Sequence, residues 1–179
     1  MDAILEAAAL VLEAGGFESY TTNHIAERAG VSIGSLYQYF PNKDAVTVAL
    51  IEREASNLAN RLAALDQDDW KITLLKMIEI ISEHEQRRPR LSRLLDSEEV
   101  RLKAEGVQRE SADRIRVAII DLLNVVGTFP LPTAVIASDL MAITRSLSDL
   151  GPVEAARDSS VLARRLEWAV LGYLAMAAE

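Results

Sequence analysis

The 179-residue sequence has no cysteine. Disulfides, thiolate nucleophiles and Cys-based zinc sites are thereby excluded. The absence fits a reducing compartment, and a cytoplasmic location is expected. Aromatic residues are scarce, at 5%, and Ala and Leu dominate instead. Strands draw on aromatic and β-branched residues, so this bias points to helix. No apolar run has the length needed to span a bilayer, and no membrane partner is expected. Asp2 and Glu6 stand where a signal peptide would carry basic residues. Positive charge is also short, with 19 Lys and Arg against 27 Asp and Glu, a net charge of -8. No Ser-His-Asp order in motif context, phosphate-binding glycine loop or HExxH is present, so neither an enzyme nor a cofactor is expected.

What is present is helical periodicity. Half of the residues are hydrophobic, ample for a sizeable core. Ile4, Leu5, Ala8, Val11 and Leu12 fall on one helix face. Gly15-Gly16 ends that helix and leaves Phe17 to fold back onto the core. Thr21-Thr22 caps a second helix from Asn23 to Ala29, which Gly30 closes. Ser32 caps a short third helix that Pro41 stops. Asn42 caps a long fourth helix, with Asp44 in its first turn. Asp66-Gln67-Asp68-Asp69 is the best linker candidate, and helix resumes at Trp70 and runs to Arg88. After Pro89 a short helix reaches Leu95. Asp96 and Glu99 then resemble a capping box for a long helix to about Val126, bent near Gly106. A loop spans Gly127 to Pro132; Thr133 caps the next helix, which ends at Gly151-Pro152, and the last helix runs to Ala177. The count is about nine helices.

The informative stretch is Thr21 to Lys43, TTNHIAERAGVSIGSLYQYFPNK. Two short helices joined by Gly30-Val31-Ser32-Ile33 match helix-turn-helix geometry. The second helix buries Leu36 and Phe40 and exposes Gly34, Ser35, Gln38 and Tyr39. Such a small, polar and aromatic face can sit close in a major groove. Together with ILEAAALVLEAGGFESYTT and IAERAGVSIGSLYQYFPNKDAV, these residues resemble the DNA-binding domain of the tetracycline-repressor (TetR) family over about fifty residues. The remainder resembles that family only in being all-helical.

The resemblance implies roles by position. Thr22 and Asn23 would reach phosphate and a base edge at the start of helix two. Ser32, Ile33, Gly34 and Ser35 would open the recognition helix against bases. Tyr37 and Tyr39 would meet phosphates through their hydroxyls, and Lys43 would do so with the free amides of helix four. One departure stands out: many relatives carry a basic arm before the first helix, and this sequence starts at MDAIL. Residues 1 to 53 hold three basic residues (Arg28, Lys43, Arg53) against seven acidic ones, a balance of -4. Three readings stand: an arm absent from this chain, which we favour, a modest affinity, or a copy that has lost strong DNA binding.

Other features have plainer readings beside the functional ones. His84 has Ile80, Ile81, Arg87 and Arg88 at the spacings a metal site would need, so no metal is expected. His24 is placed either on DNA or in solvent. Arg87, Arg88, Arg90 and Arg93 are expected to solvate a helix end and pair with Glu83, Glu85 and Asp96.

The expected architecture is all-α: a three-helix DNA-binding domain over residues 1–48, then a helical-bundle body for ligand binding and dimerisation over 49–179. The expected function is transcriptional repression from a pseudo-palindromic operator in double-stranded DNA. A homodimer would hold two recognition helices about 34–36 Å apart. Leu147, Trp168, Leu171, Gly172 and Leu174 are the candidate dimer interface, in a four-helix arrangement that the family resemblance also implies. A small apolar effector is expected between the helices starting at Trp70 and Asp96. Met77, Ile78, Ile81, Ile119, Ile120, Leu123 and Phe129 would line it, and Arg116 is the candidate partner for an anionic group. Two alternatives stay open: control of DNA binding by a protein partner, and a dimeric interaction module with vestigial DNA binding.

Overall fold

The computed structural model of the chain describes residues 1–66, 69–102, 109–149 and 159–177. Among these the backbone forms α-helices and no strand. They are α1 (Asp2–Ser19), α2 (Thr22–Ala29), α3 (Ile33–Tyr39), α4 (Lys43–Ala63), α5 (Trp70–Arg87), α6 (Pro89–Leu102), α7 (Arg109–Val126), α8 (Thr133–Asp149) and α9 (Ser159–Ala177). The described residues of Met1–Ser56 and Arg88–Glu110 pack as one unit, and those of Asn57–Arg87 and Ser111–Glu179 as another. The expected division falls after residue 48, with residues 49–179 as one body. The expected bend at Gly106, the helix end at Gly151-Pro152 and the middle of the acidic linker lie outside the described residues.

The first unit is built around Ile4, Leu5, Ala8 and Leu12 of α1, Ile25 and Ala26 of α2, and Leu36 of α3. Phe40, Val46, Leu50 and Ile51 complete it with Leu91 and Leu95 of α6. Each such Leu or Ile side chain, fully buried, contributes about 1.5–3 kcal/mol. α1 does break at Gly16, whose φ of 62° and ψ of -159° leave the helical region. The chain then turns once more, to Ser19, and this carries the inward position from Phe17 to Tyr20. Phe17, expected in the core, is exposed, whereas Tyr20 is only 1% exposed.

α6 runs unbroken through Asp96 and Glu99, so no capping box forms there. Leu91, Leu95, Glu98 and Glu99 share its buried face, which continues past the expected boundary. Pro89 opens the helix at a position where its missing N–H costs nothing. Arg88, just before α6, also differs from expectation. Arg88 reaches α1, at 2.6 Å from Glu13 and 3.1 Å from Glu6, and Glu6 also meets Arg53 of α4 at 3.2 Å. Glu83 instead pairs with Arg61 at 2.7 Å.

The second unit packs Leu62 with Leu74, Met77 and Ile78 of α5 and Leu122 and Leu123 of α7. Ile136, Ala137 and Leu140 of α8 join a stripe of Leu162, Leu166, Val170 and Leu174 on α9. The i, i+4 spacing of that stripe gives α9 one buried face. Asp69 caps α5 by accepting from the amides of Lys71 (2.9 Å) and Ile72 (3.2 Å).

Candidate nucleic-acid interface

Three local devices hold α2 and α3 in place. Thr21, extended at φ -126° and ψ 154°, accepts from the His24 amide at 3.2 Å and starts α2. Gly30 ends it in the left-handed region at φ 70° and ψ 28°, which glycine adopts without strain. Ser32 then accepts from the Ser35 amide at 3.0 Å and starts α3 two residues later. The turn therefore spans Gly30 to Ser32, with Val31 half-buried against the core. Leu36 and Phe40 anchor the inner side of α3, as their spacing predicts.

The outer side of α3 is open. Ile33, Gly34, Tyr37, Gln38 and Tyr39 are exposed, and Tyr37 and Tyr39 show 49% and 59% of their surface. Ser35 is half-buried and its hydroxyl lies 2.8 Å from that of Ser32. The Thr22 and Tyr37 hydroxyls are hydrogen-bonded at 3.2 Å, joining the first residue of α2 to the middle of α3. Asn23 is exposed beside them. The structure thus brings Thr22 and Tyr37, and Ser32 and Ser35, together as pairs on one exposed surface. His24 is exposed, and its Nδ1 donates to the Ser19 carbonyl at 2.8 Å, a tautomer assigned from that bond.

Lys43 opens α4, whose first turn is capped by Asn42 accepting from the Ala45 amide at 2.8 Å. Its ammonium stands 5.8 Å from the centre of the Tyr20 ring, a cation–π distance. The Thr47 hydroxyl lies 3.1 Å from the Lys43 carbonyl and 3.3 Å from the Tyr20 hydroxyl, its one proton shared between the two acceptors. Burial pushes the Tyr20 phenol up to about 12, against the opposing pull of the Thr47 hydrogen bond; the charges of Glu98 and Asp44 add to the rise. Asp44 accepts from Arg101 at 2.5 Å, and that hydrogen bond holds its carboxyl below the usual range. Sequence reasoning missed Tyr20, Thr47 and Arg101 as parts of this corner. Thr47 lies one helical turn beyond Lys43, a usable signal; Arg101 is 57 residues from Asp44 and carries none.

The same contacts reduce the acidity read from residues 1 to 53. Glu6, Glu13 and Asp44 are paired with arginines, and two of these, Arg88 and Arg101, lie beyond residue 53.

In the second unit, Met77, Ile78 and Leu123 are buried, and Ile81, Ile119, Ile120 and Phe129 pack half-buried against the same cluster. Ile119, Ile120 and Leu123 belong to α7, which begins at Arg109 and not at Asp96. Arg116 donates to Asp113 at 2.7 Å, while its buried Nε has no partner among the described residues. Of the candidate interface residues, Trp168 is 69% exposed, and Leu147 and Leu171 are half-buried. Gly172 has no atom within 4 Å of where a Cβ would stand. Leu174 lies in the core of its own unit. Among the described residues no three His, Asp or Glu side chains cluster as a metal site, and no helix is long and apolar enough to cross a membrane.

A short helix-turn-helix with an open second helix and a capped fourth helix defines a DNA-binding class of head. Residues 4–50 match the family model described as bacterial regulatory proteins, tetR family. A nucleoid occlusion factor, SlmA of Glaesserella parasuis, is 33% identical over 81 residues, or 45% of this chain and 40% of that protein. The chain spans about half or less of the length of the first curated relatives it matches. A transcriptional regulator from Rhodococcus sp. Rha1 shares the fold at a TM-score of 0.80 and 20% identity, over 99% of this chain and 97% of that one. The regulator FadR from Bacillus subtilis, solved in complex with stearoyl-CoA, does so at 0.74 and 17%, over 96% and 98%.

Proposed function

We propose that the chain is a transcriptional repressor that binds a pseudo-palindromic operator as a homodimer and is released by a small, mostly apolar effector. The observation that carries DNA binding is the open face of α3; the Thr22–Tyr37 hydroxyl pair and Lys43 beside the Tyr20 ring would meet phosphates. Ser32, Ile33, Gly34 and Ser35 would meet base edges, and Asn23 and Tyr39 the flanking backbone. For the dimer, exposed Trp168 and Met176, with Gly172 between them, mark the α9 surface that its buried stripe leaves over. Met176 takes the place of Leu174 in that patch.

Support for the effector is of two kinds. Met77, Ile78, Ile81, Ile119, Ile120, Leu123 and Phe129 belong to one aliphatic cluster, and Arg116, three and four residues before Ile119 and Ile120 on α7, has a buried Nε without a partner among the described residues. A protein of the same fold is solved with an acyl-CoA. The second reading is control of DNA binding by a protein partner, with a second unit that packs solid and holds no such ligand.

A thermal-shift screen with fatty acids and acyl-CoA esters separates the two, followed by a gel shift on DNA upstream of the gene. A ligand at 100 times its Kd adds about 2.7 kcal/mol to stability, and hits should release DNA. An empty screen together with intact DNA binding would support partner control.

A further inference from the structure

The corner that presents Lys43 contains its own competitor. Asp44 is the second residue of α4, where the helix dipole and the first-turn amides favour an anion. A DNA phosphate approaching Lys43 would want the same amides and the same ammonium. In the structure the Asp44 carboxylate is turned to α6, where Arg101 Nη2 donates to it at 2.5 Å.

Arg101 is itself set by a fixed point. Its Nε and Nη2 donate to the two carboxylate oxygens of Glu98, at 2.7 Å and 2.6 Å. Glu98 is buried one turn back on α6, so this fork fixes the plane of a guanidinium that is half-exposed. The Arg101–Asp44 pair is open to water on both sides, and pairs of that kind add little to stability. Its consequence lies in where it puts the carboxylate.

We propose that Arg101 is a positioning residue for DNA binding: by holding the Asp44 carboxylate against α6, it leaves Lys43 and the first turn of α4 open to a backbone phosphate. The inference rests on the DNA-binding reading above and adds to it a residue outside the helix-turn-helix. It also makes the placement of α6 against α4 within the first unit a determinant of affinity.

The test is a double-mutant cycle on DNA affinity, read by fluorescence anisotropy on one duplex at one salt concentration. Arg101→Ala should weaken binding about ten-fold in the wild-type background, as the freed carboxylate competes in both protomers of a dimer. In the Asp44→Asn background the same change should cost about two-fold or less, the residue of lost positive charge. General damage from unpairing Glu98 would act equally in both backgrounds. Equal losses in the two backgrounds, whether from such damage or from a direct Arg101–phosphate contact, would overturn the proposal and leave the DNA-binding reading intact. A wild-type chain that binds no duplex would overturn both.

Discussion

Replacing Tyr20 by phenylalanine isolates one hydroxyl in the corner beneath Lys43. The ring is 1% exposed, and its hydroxyl accepts from Thr47 at 3.3 Å. Thr47 keeps its bond to the Lys43 carbonyl at 3.1 Å, so no donor is orphaned. The cost at neutral pH is then that of one neutral hydrogen bond, about 1 kcal/mol, or about 2–4 °C in Tm for a chain of this size. Alkaline pH reverses the order. The phenol is raised from 10.0 to about 12 in the fold. The associated stability is therefore complete below pH 10 and lost as pH rises through about 12, up to about 3 kcal/mol in all. The phenylalanine variant has nothing to titrate at this position, and the other lysines and tyrosines are common to both proteins. Urea melts from pH 8 to 12 should show the wild type ahead at pH 8, a crossing between pH 10 and 12, and Tyr20→Phe ahead beyond it. Parallel profiles would refute the argument that burial holds this phenol neutral. DNA affinity at neutral pH should be nearly unchanged, since the ring under Lys43 remains.

Leu36→Ala removes the side chain that anchors the recognition helix and is 0% exposed; thermal melts should show a loss of about 2–5 kcal/mol, and a loss under about 1 kcal/mol would contradict the packing described. Gly30→Ala places a Cβ in open space but at φ 70°, so only the conformational cost remains, about 1–2 kcal/mol in chemical melts; an unchanged midpoint would show that the turn does not require the left-handed region. Trp168→Arg alters a side chain that is 69% exposed and should convert dimer to monomer in sedimentation while helical circular dichroism stays intact; a retained dimer would place the interface elsewhere.

The features legible in the sequence are local ones. Thr21 and Ser32 as caps, the Gly16 break, Gly30 as a stop, and Leu36 and Phe40 as inward residues all follow from side-chain chemistry within one or two turns. The errors arise where tertiary packing decides. Asp96 and Glu99 carry the letters of a capping box, yet α6 continues because its buried face does. Phe17 gives way to Tyr20 because one further turn follows the glycine. The α1 partners of Arg88 lie 75 or more residues away and the Asp44 partner of Arg101 lies 57 away, beyond the reach of spacing rules. Apart from Lys43 and Arg116, the proposed DNA-facing and effector-facing residues are uncharged. Their roles rest on which surface they share, which periodicity alone leaves open.

Whether α3 and the start of α4 grip DNA is read from the salt dependence of binding to the DNA upstream of the gene. Log affinity should fall linearly with log salt between about 50 and 200 mM. Lys43→Ala should weaken binding to all sequences alike and lower that slope by about one unit, whereas Ser35→Ala should keep the slope and change which sequences are preferred. A wild-type protein that fails to bind, or a slope that Lys43→Ala leaves untouched, would contradict that grip.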